Sequence, residues 1–65
     1  MKNKIEAIRK EQGILQEEFA EVMGVSRQTI SSLENGRYNP SIGLAHKIAK
    51  FFGMTIEEVF IFEEE

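Results

Sequence analysis

The sequence predicts an all-α domain of five short helices, and three observations carry that prediction. Apolar residues recur at helical rather than strand spacing along the chain. Gly13, Gly24, Gly36 and Gly53 stand just past four of these periodic runs, where a helix commonly ends on a left-handed residue. Ser26, Ser41 and Thr55 stand just before three of them, where a hydroxyl can accept a bond from the unpaired N–H groups of a first turn. Nothing in the sequence resembles a strand pair, a linker or a repeat.

Taken in order, Ile5, Ala7 and Ile8 mark a first helix over about residues 3–12, and Phe19, Ala20, Val22 and Met23 a second over about 16–23. Leu15 precedes the second and offers no side-chain acceptor, a missing cap typically worth about 1 kcal/mol. Ile30 and Leu33 mark a third over about 27–35; Leu44, Ala45, Ile48, Ala49 and Phe52 a fourth over about 42–52. Ile56, Val59 and Phe60 mark a fifth over about 56–61. Thr55 with Glu58 spells a capping box, and Met54 with Val59 a hydrophobic staple; Val25 with Ile30 and Ile14 with Phe19 repeat the staple. Phe51 adjoins Phe52, and on one helix both cannot point into the same core. Ile61 and Phe62 likewise exceed what the fifth helix needs to bury. We therefore expect Phe62 and Ile61, with Phe51 or Val59 at the margin, to pack against a second copy; the alternative is that Phe62 folds back over the first helix. The alternation Phe60-Ile61-Phe62 leaves open an intermolecular strand pairing in place of helix packing.

Length and composition exclude several classes of function. A chain of 65 residues holds one small domain that must bury most of its apolar side chains. We expect that domain over residues 1–62, with Glu63 to Glu65 as an acidic tail. The absence of cysteine excludes disulfides, thiolate metal sites and a cysteine nucleophile. There is no aspartate, and the single histidine, His46, lies beside Lys47 on the polar side of the fourth helix. No metal site, no cofactor and no enzyme activity are expected from that set. The longest apolar run, Val59 to Phe62, falls far short of the roughly 20 residues that cross a bilayer. The first ten residues lack the apolar centre of a secretory signal, so a cytoplasmic location without a membrane partner is expected.

The net charge of −3 argues against a polyanionic partner only until its placement is considered. Residues 26–50 carry Arg27, Arg37, Lys47 and Lys50 against Glu34 alone. Much of the acidity sits in Glu57, Glu58 and the closing Glu63 to Glu65. Within the basic stretch, the third helix turns Arg27, Gln28, Thr29, Ser31 and Ser32 away from Ile30 and Leu33. That face suits the DNA major groove: Arg reads guanine O6 and N7, Gln reads adenine N6 and N7, and Thr can touch a thymine methyl.

The spacing Gln16, Ala20, Gly24-Val25-Ser26, Ile30, Leu33, followed by Leu33-Glu34-Asn35-Gly36-Arg37-Tyr38-Asn39-Pro40-Ser41, resembles the helix-turn-helix domain of the lambdoid phage repressor and Cro family, also called Xre-like. Lys47-Ile48-Ala49-Lys50 and Gly53-Met54-Thr55-Ile56-Glu57-Glu58 fit the same pattern. The resemblance runs from Ile5 to Phe60 and points to the compact prokaryotic or phage regulators made of this domain and a brief tail. It implies a five-helix, lambda-repressor-like fold with helices 2 and 3 as the helix-turn-helix. It also implies a transcriptional regulator, in the first instance a repressor, that binds double-stranded palindromic DNA as a homodimer; 65 residues leave no room for a ligand-sensing domain, so no small-molecule ligand is expected. Arg27, Gln28, Thr29 and Ser32 would face base edges. Gln16, Ser26, Ser31, Asn35, Arg37 and Tyr38 would contact phosphates. Arg9 and Glu34 match a pair that joins helix 1 to helix 3 in some members. Leu15 departs from the Thr or Ser usual at its position, and Gly43 from the usual helix former. The alternative is an antitoxin-like module that keeps the fold but binds a protein. It predicts carboxylates or bulky apolar residues on the third helix, which Arg27, Gln28 and Thr29 are not.

Overall fold

Three of the five helices begin where a hydroxyl takes up a free N–H donor of the first turn. The computed structural model describes residues 1–62; the acidic tail expected at Glu63 to Glu65 lies outside the described residues. Its helices are α1 (Ile5–Glu11), α2 (Gln16–Met23), α3 (Arg27–Glu34), α4 (Ile42–Phe52) and α5 (Ile56–Val59). Ser26 Oγ accepts from the N–H of Thr29 at 3.1 Å, Ser41 Oγ from Leu44 at 3.1 Å and Thr55 Oγ1 from Glu58 at 3.2 Å. Glu58 Oε1 returns a bond to the N–H of Thr55 at 2.8 Å, closing the capping box. The second helix keeps half of such a box. Leu15 offers nothing, but the Glu18 carboxylate accepts from the N–H of Leu15 at 2.9 Å.

The faces so fixed converge on one core. Phe19, Ile30, Leu33, Ile48, Val59 and Phe60 are fully or almost fully buried, with Ile5 and Ile8 from α1 and Phe52 from α4 closing around them. Ile14, Val25 and Met54, the outer members of the three staples, lie half-buried against it. Phe52 stacks on Phe19 with ring centroids 5.2 Å apart. Phe51 tilts against the same ring at 5.7 Å while keeping 40% of its surface exposed. The neighbours Phe51 and Phe52 therefore divide as the sequence requires, one inward and one at the rim.

The ends of the chain depart from expectation. Helix α1 starts at Ile5 rather than near residue 3, and α5 stops at Val59 rather than near 61. The segments beyond them pair instead. Asn3 and Phe60 form an antiparallel bridge, with Lys4 N–H donating to the Val59 carbonyl at 2.8 Å and Ile61 N–H to the Lys2 carbonyl at 2.9 Å. A strand-like pairing thus forms within the chain at Phe60, where the alternation Phe60-Ile61-Phe62 had left open a pairing between copies. The backbone of Phe60 turns extended, which sends its ring inward to 1% exposure and leaves Ile61 and Phe62 outside. Val59 is 0% exposed, so it has no surface to offer a second copy, and its expected place in a dimer contact is corrected.

Asn3 locks this closure. Its Nδ2 donates to the Leu33 carbonyl at 2.8 Å and to the Met1 carbonyl at 3.1 Å, and its Oδ1 accepts from the N–H of Ile5 at 3.0 Å. One side chain thereby caps α1 and ties it to the end of α3. Replacing Asn3 with Ala is expected to cost about 1–2 kcal/mol, the combined loss of a helix cap and of the donor to the Leu33 carbonyl, read from urea unfolding.

Candidate nucleic-acid interface

The turn between α2 and α3 sets the direction of the exposed helix. Gly24 adopts φ +76°, a left-handed conformation that only Gly takes cheaply. The N–H of Val25 then reaches back to the Ala20 carbonyl at 3.0 Å. Ala20, at 4% exposure, is small enough for the two helices to approach over it. With Ile30 and Leu33 turned into the core, Arg27 and Gln28 stand exposed at the start of α3, while Thr29, Ser31 and Ser32 are half-buried on its flanks. The Thr29 hydroxyl lies 2.9 Å from the Ser26 hydroxyl, so the two share a hydrogen at the helix start.

Two shallow depressions flank the exposed turn of α3. One is lined by Ser26, Gln28, Thr29, Ser32 and Tyr38. The other is lined by Gln16, Arg27, Arg9, Leu15, Glu6 and Glu17. Seven of the residues read from the sequence as DNA contacts (Gln16, Ser26, Arg27, Gln28, Thr29, Ser32 and Tyr38) thus line these two depressions beside α3. Asn35 and Arg37 are exposed beyond the other end of α3. The loop that carries them is anchored: Arg37 N–H donates to the Ser32 carbonyl at 3.0 Å, and the Met1 amino group donates to the Gly36 carbonyl at 2.8 Å and to Asn39 Oδ1 at 3.0 Å. The sequence reading had no role for Asn3 or Met1. The one available signal was an asparagine just ahead of the first apolar period, a residue type that favours helix starts.

The acid on α3 is neutralised where it stands. Arg9 Nε donates to Glu34 Oε2 at 2.7 Å and Nη2 to Oε1 at 3.2 Å, with both side chains almost fully buried. Arg9 Nη1 also donates to the Ile14 carbonyl at 2.8 Å. The hydrogen bond to Glu34 raises Arg9 above its already high ordinary pKa, against the opposing pull of burial. Stability from such a raised base is lost only as pH climbs through the folded value, far above neutrality, so Arg9 adds no pH dependence in the working range. Glu34 also accepts from Gln16 Nε2 at 2.9 Å. Its charge is thus spent inside the protein and does not face a phosphate approaching α3. On the opposite side, Lys47 Nζ donates to the Met23 carbonyl at 3.2 Å, a cation at the C-terminal end of α2.

Among the described residues, no group of three or more His, Cys, Asp or Glu could hold a metal ion, and no helix is long and apolar enough to cross a membrane. His46 is exposed, as expected of a rim residue. It lines an open groove between α4 and α5 together with Ile42, Ala49, Lys50, Met54, Ile56, Glu57 and Phe62.

A turn-linked helix pair whose second helix exposes no acid is the arrangement of a helix-turn-helix, and comparison with known proteins agrees. The family model described as helix-turn-helix matches residues 5–59, and the chain belongs to this family, in its lambdoid repressor and Cro (Xre-like) branch of DNA-binding transcriptional regulators. It is similar to an uncharacterised helix-turn-helix-type transcriptional regulator of Methanocaldococcus jannaschii, 52% identical over 65 residues that cover all of this chain and 98% of that one. A second such regulator, from Bacillus subtilis, is 49% identical over 65 residues covering all of this chain and 98% of its own. The immunity repressor protein of Bacillus phage phi105 is 36% identical over 67 residues, covering 95% of this chain and 46% of that protein.

Proposed function

We propose that the protein is a repressor that binds a palindromic operator as a homodimer, with α3 in the major groove. The observation that carries this reading is the exposed start of α3, where Arg27 and Gln28 stand free of the core while the one acid on the helix is paired with Arg9. Arg27 and Gln28 have the donors and acceptors for two-bond contacts to guanine and adenine. Thr29 and Ser32 border the same surface, and Tyr38 lies within reach of it. Gln16, Ser26, Ser31, Asn35 and Arg37 supply phosphate contacts around the rim. Two copies related by a two-fold axis would present two α3 helices about 34 Å apart, one DNA turn, and double both contact and discrimination. Among the relatives, the immunity repressor favours repression over activation.

Selection of bound sites from random duplex DNA tests the reading. Two inverted half-sites whose centres lie about one turn apart are expected, and recovery of no preferred sequence would overturn it. On the selected site, Arg27→Ala and Gln28→Ala are each expected to lose about 1–3 kcal/mol at one base pair while leaving binding to random DNA largely intact. Arg37→Ala is expected to weaken all sequences alike and to reduce the salt slope by about one.

The surface proposed for the dimer is Phe62, Ile61 and Phe51, which are 59%, 36% and 40% exposed. Phe62 lines the open groove with Ile42 and Ala49, and exposed apolar side chains of this size on a small domain call for a partner. An isologous contact would repeat it on both copies. Because Ile61 also ties down Lys2, a substitution tests the contact better than truncation. Phe62→Glu is expected to yield a monomer in sedimentation at micromolar concentration with its unfolding midpoint little changed. A dimer as tight as the parent would remove Phe62 from the interface.

A further inference from the structure

Glu34 holds more partners than an ion pair needs. Its Oε2 accepts from Arg9 Nε at 2.7 Å, and its Oε1 accepts both from Arg9 Nη2 at 3.2 Å and from Gln16 Nε2 at 2.9 Å. The Gln16 amide is polar at both ends. With its N–H group turned to the carboxylate, its Oε1 faces α3, and there it accepts from Arg27 Nε at 3.4 Å. A run of hydrogen bonds therefore passes from Arg27 to Gln16 to Glu34, with Arg9 closing on Glu34 from the other side.

We propose that Glu34 is a positioning residue for base reading: acting through the Gln16 amide, it fixes which way the Arg27 guanidinium points. The proposal rests on the base-reading role given to Arg27 above. An amide side chain can turn over about its last torsion, exchanging nitrogen for oxygen at almost no cost in shape. Here the reversed amide would put its carbonyl against the Glu34 carboxylate and its N–H group against the Arg27 guanidinium. Both contacts repel. The ionised Glu34, held in place by Arg9, therefore admits one orientation of Gln16, and that orientation offers Arg27 an acceptor at Nε. The two terminal nitrogens of Arg27 are left as the free fork, the pair that meets guanine O6 and N7 end-on. A fork held before binding loses less freedom on reading a base. The second N–H of Gln16 stays available for a phosphate, so one carboxylate orders a backbone contact and a base contact together.

The test uses the full chain in two variants, Gln16→Ala and the double substitution Arg9→Met with Glu34→Leu. The double substitution removes the carboxylate without stranding a buried charge. Gln16→Ala removes no residue of the buried core and keeps the test open if the other variant fails to fold. In the free protein, hydrogen exchange at the Arg27 Nε–H by NMR is expected to quicken several-fold in both. On DNA, discrimination at the base pair read by Arg27 is expected to fall by about two- to tenfold in both, the worth of one net hydrogen bond, with no further loss once Arg27 is Ala. A purely structural Glu34, or a Gln16 that only touches phosphate, would weaken all sequences alike and leave this discrimination intact. That result, with Arg27→Ala still abolishing the preference, overturns the proposal alone. If Arg27→Ala itself changes no preference, the base-reading assignment falls and the proposal falls with it, whatever the exchange rates show.

Discussion

Glu34→Ala is expected to lower the unfolding free energy by about 3–5 kcal/mol, because it leaves the Arg9 guanidinium buried with its charge uncompensated. Arg9 would keep the Ile14 carbonyl as a hydrogen-bond partner, and Gln16 would lose the acceptor of its amide. For a domain of this size, such a loss is a large share of the total stability. Exchanging both partners for apolar residues, Arg9→Met with Glu34→Leu, is expected to cost less than Glu34→Ala alone, since nothing charged is then left without water or a partner. Urea unfolding of the three variants and of Arg9→Ala gives the check. A coupling energy between Arg9 and Glu34 indistinguishable from zero would assign both to the solvated surface, contrary to their burial.

The helices were legible in the sequence because their signals are local. Ser26, Ser41 and Thr55 with Glu58 mark their starts within a few residues, and the left-handed Gly24 and Gly53 mark two of their ends. The exposed face of α3 was legible for the same reason: once Ile30 and Leu33 point inward, the helical period fixes where Arg27 and Gln28 go. The ends of the chain were not legible. The apolar period runs on through Phe60, but whether Phe60 continues a helix or extends beside Asn3 depends on a backbone partner at the opposite end of the sequence. No window of local pattern contains both. The role of Asn3 was hidden likewise, since one of its bonds goes to the Leu33 carbonyl. Gln16 shows the limit at the site. Its position was read as a phosphate contact, yet in the free protein its amide is engaged by Glu34 and Arg27, and only three-dimensional proximity shows that.

Phe19→Ala is expected to cost about 3–5 kcal/mol, the range for deleting a buried aromatic ring. Phe19 is 0% exposed and carries the ring against which Phe52 stacks at 5.2 Å and Phe51 tilts at 5.7 Å. The loss therefore combines transfer, cavity and ring contacts, which conservative replacement separates. Phe19→Leu refills most of the volume and is expected to cost about 1.5 kcal/mol, while Phe51→Ala, already exposed at the rim, is expected to cost about 1 kcal/mol. The consequence reaches the DNA-facing surface because Phe19 lies on α2 one turn past Gln16, and α2 holds α3 through the Gly24 turn. In Phe19→Leu, the domain should stay folded while α2 settles against a smaller side chain, so affinity for specific DNA should drop more than affinity for random DNA. Denaturant unfolding gives the stability order Phe19→Ala below Phe19→Leu below Phe51→Ala. If Phe51→Ala proves as costly as Phe19→Ala in the monomer, the ring at the rim supports the core more than its exposure implies, and Phe51 should be withdrawn from the proposed dimer surface.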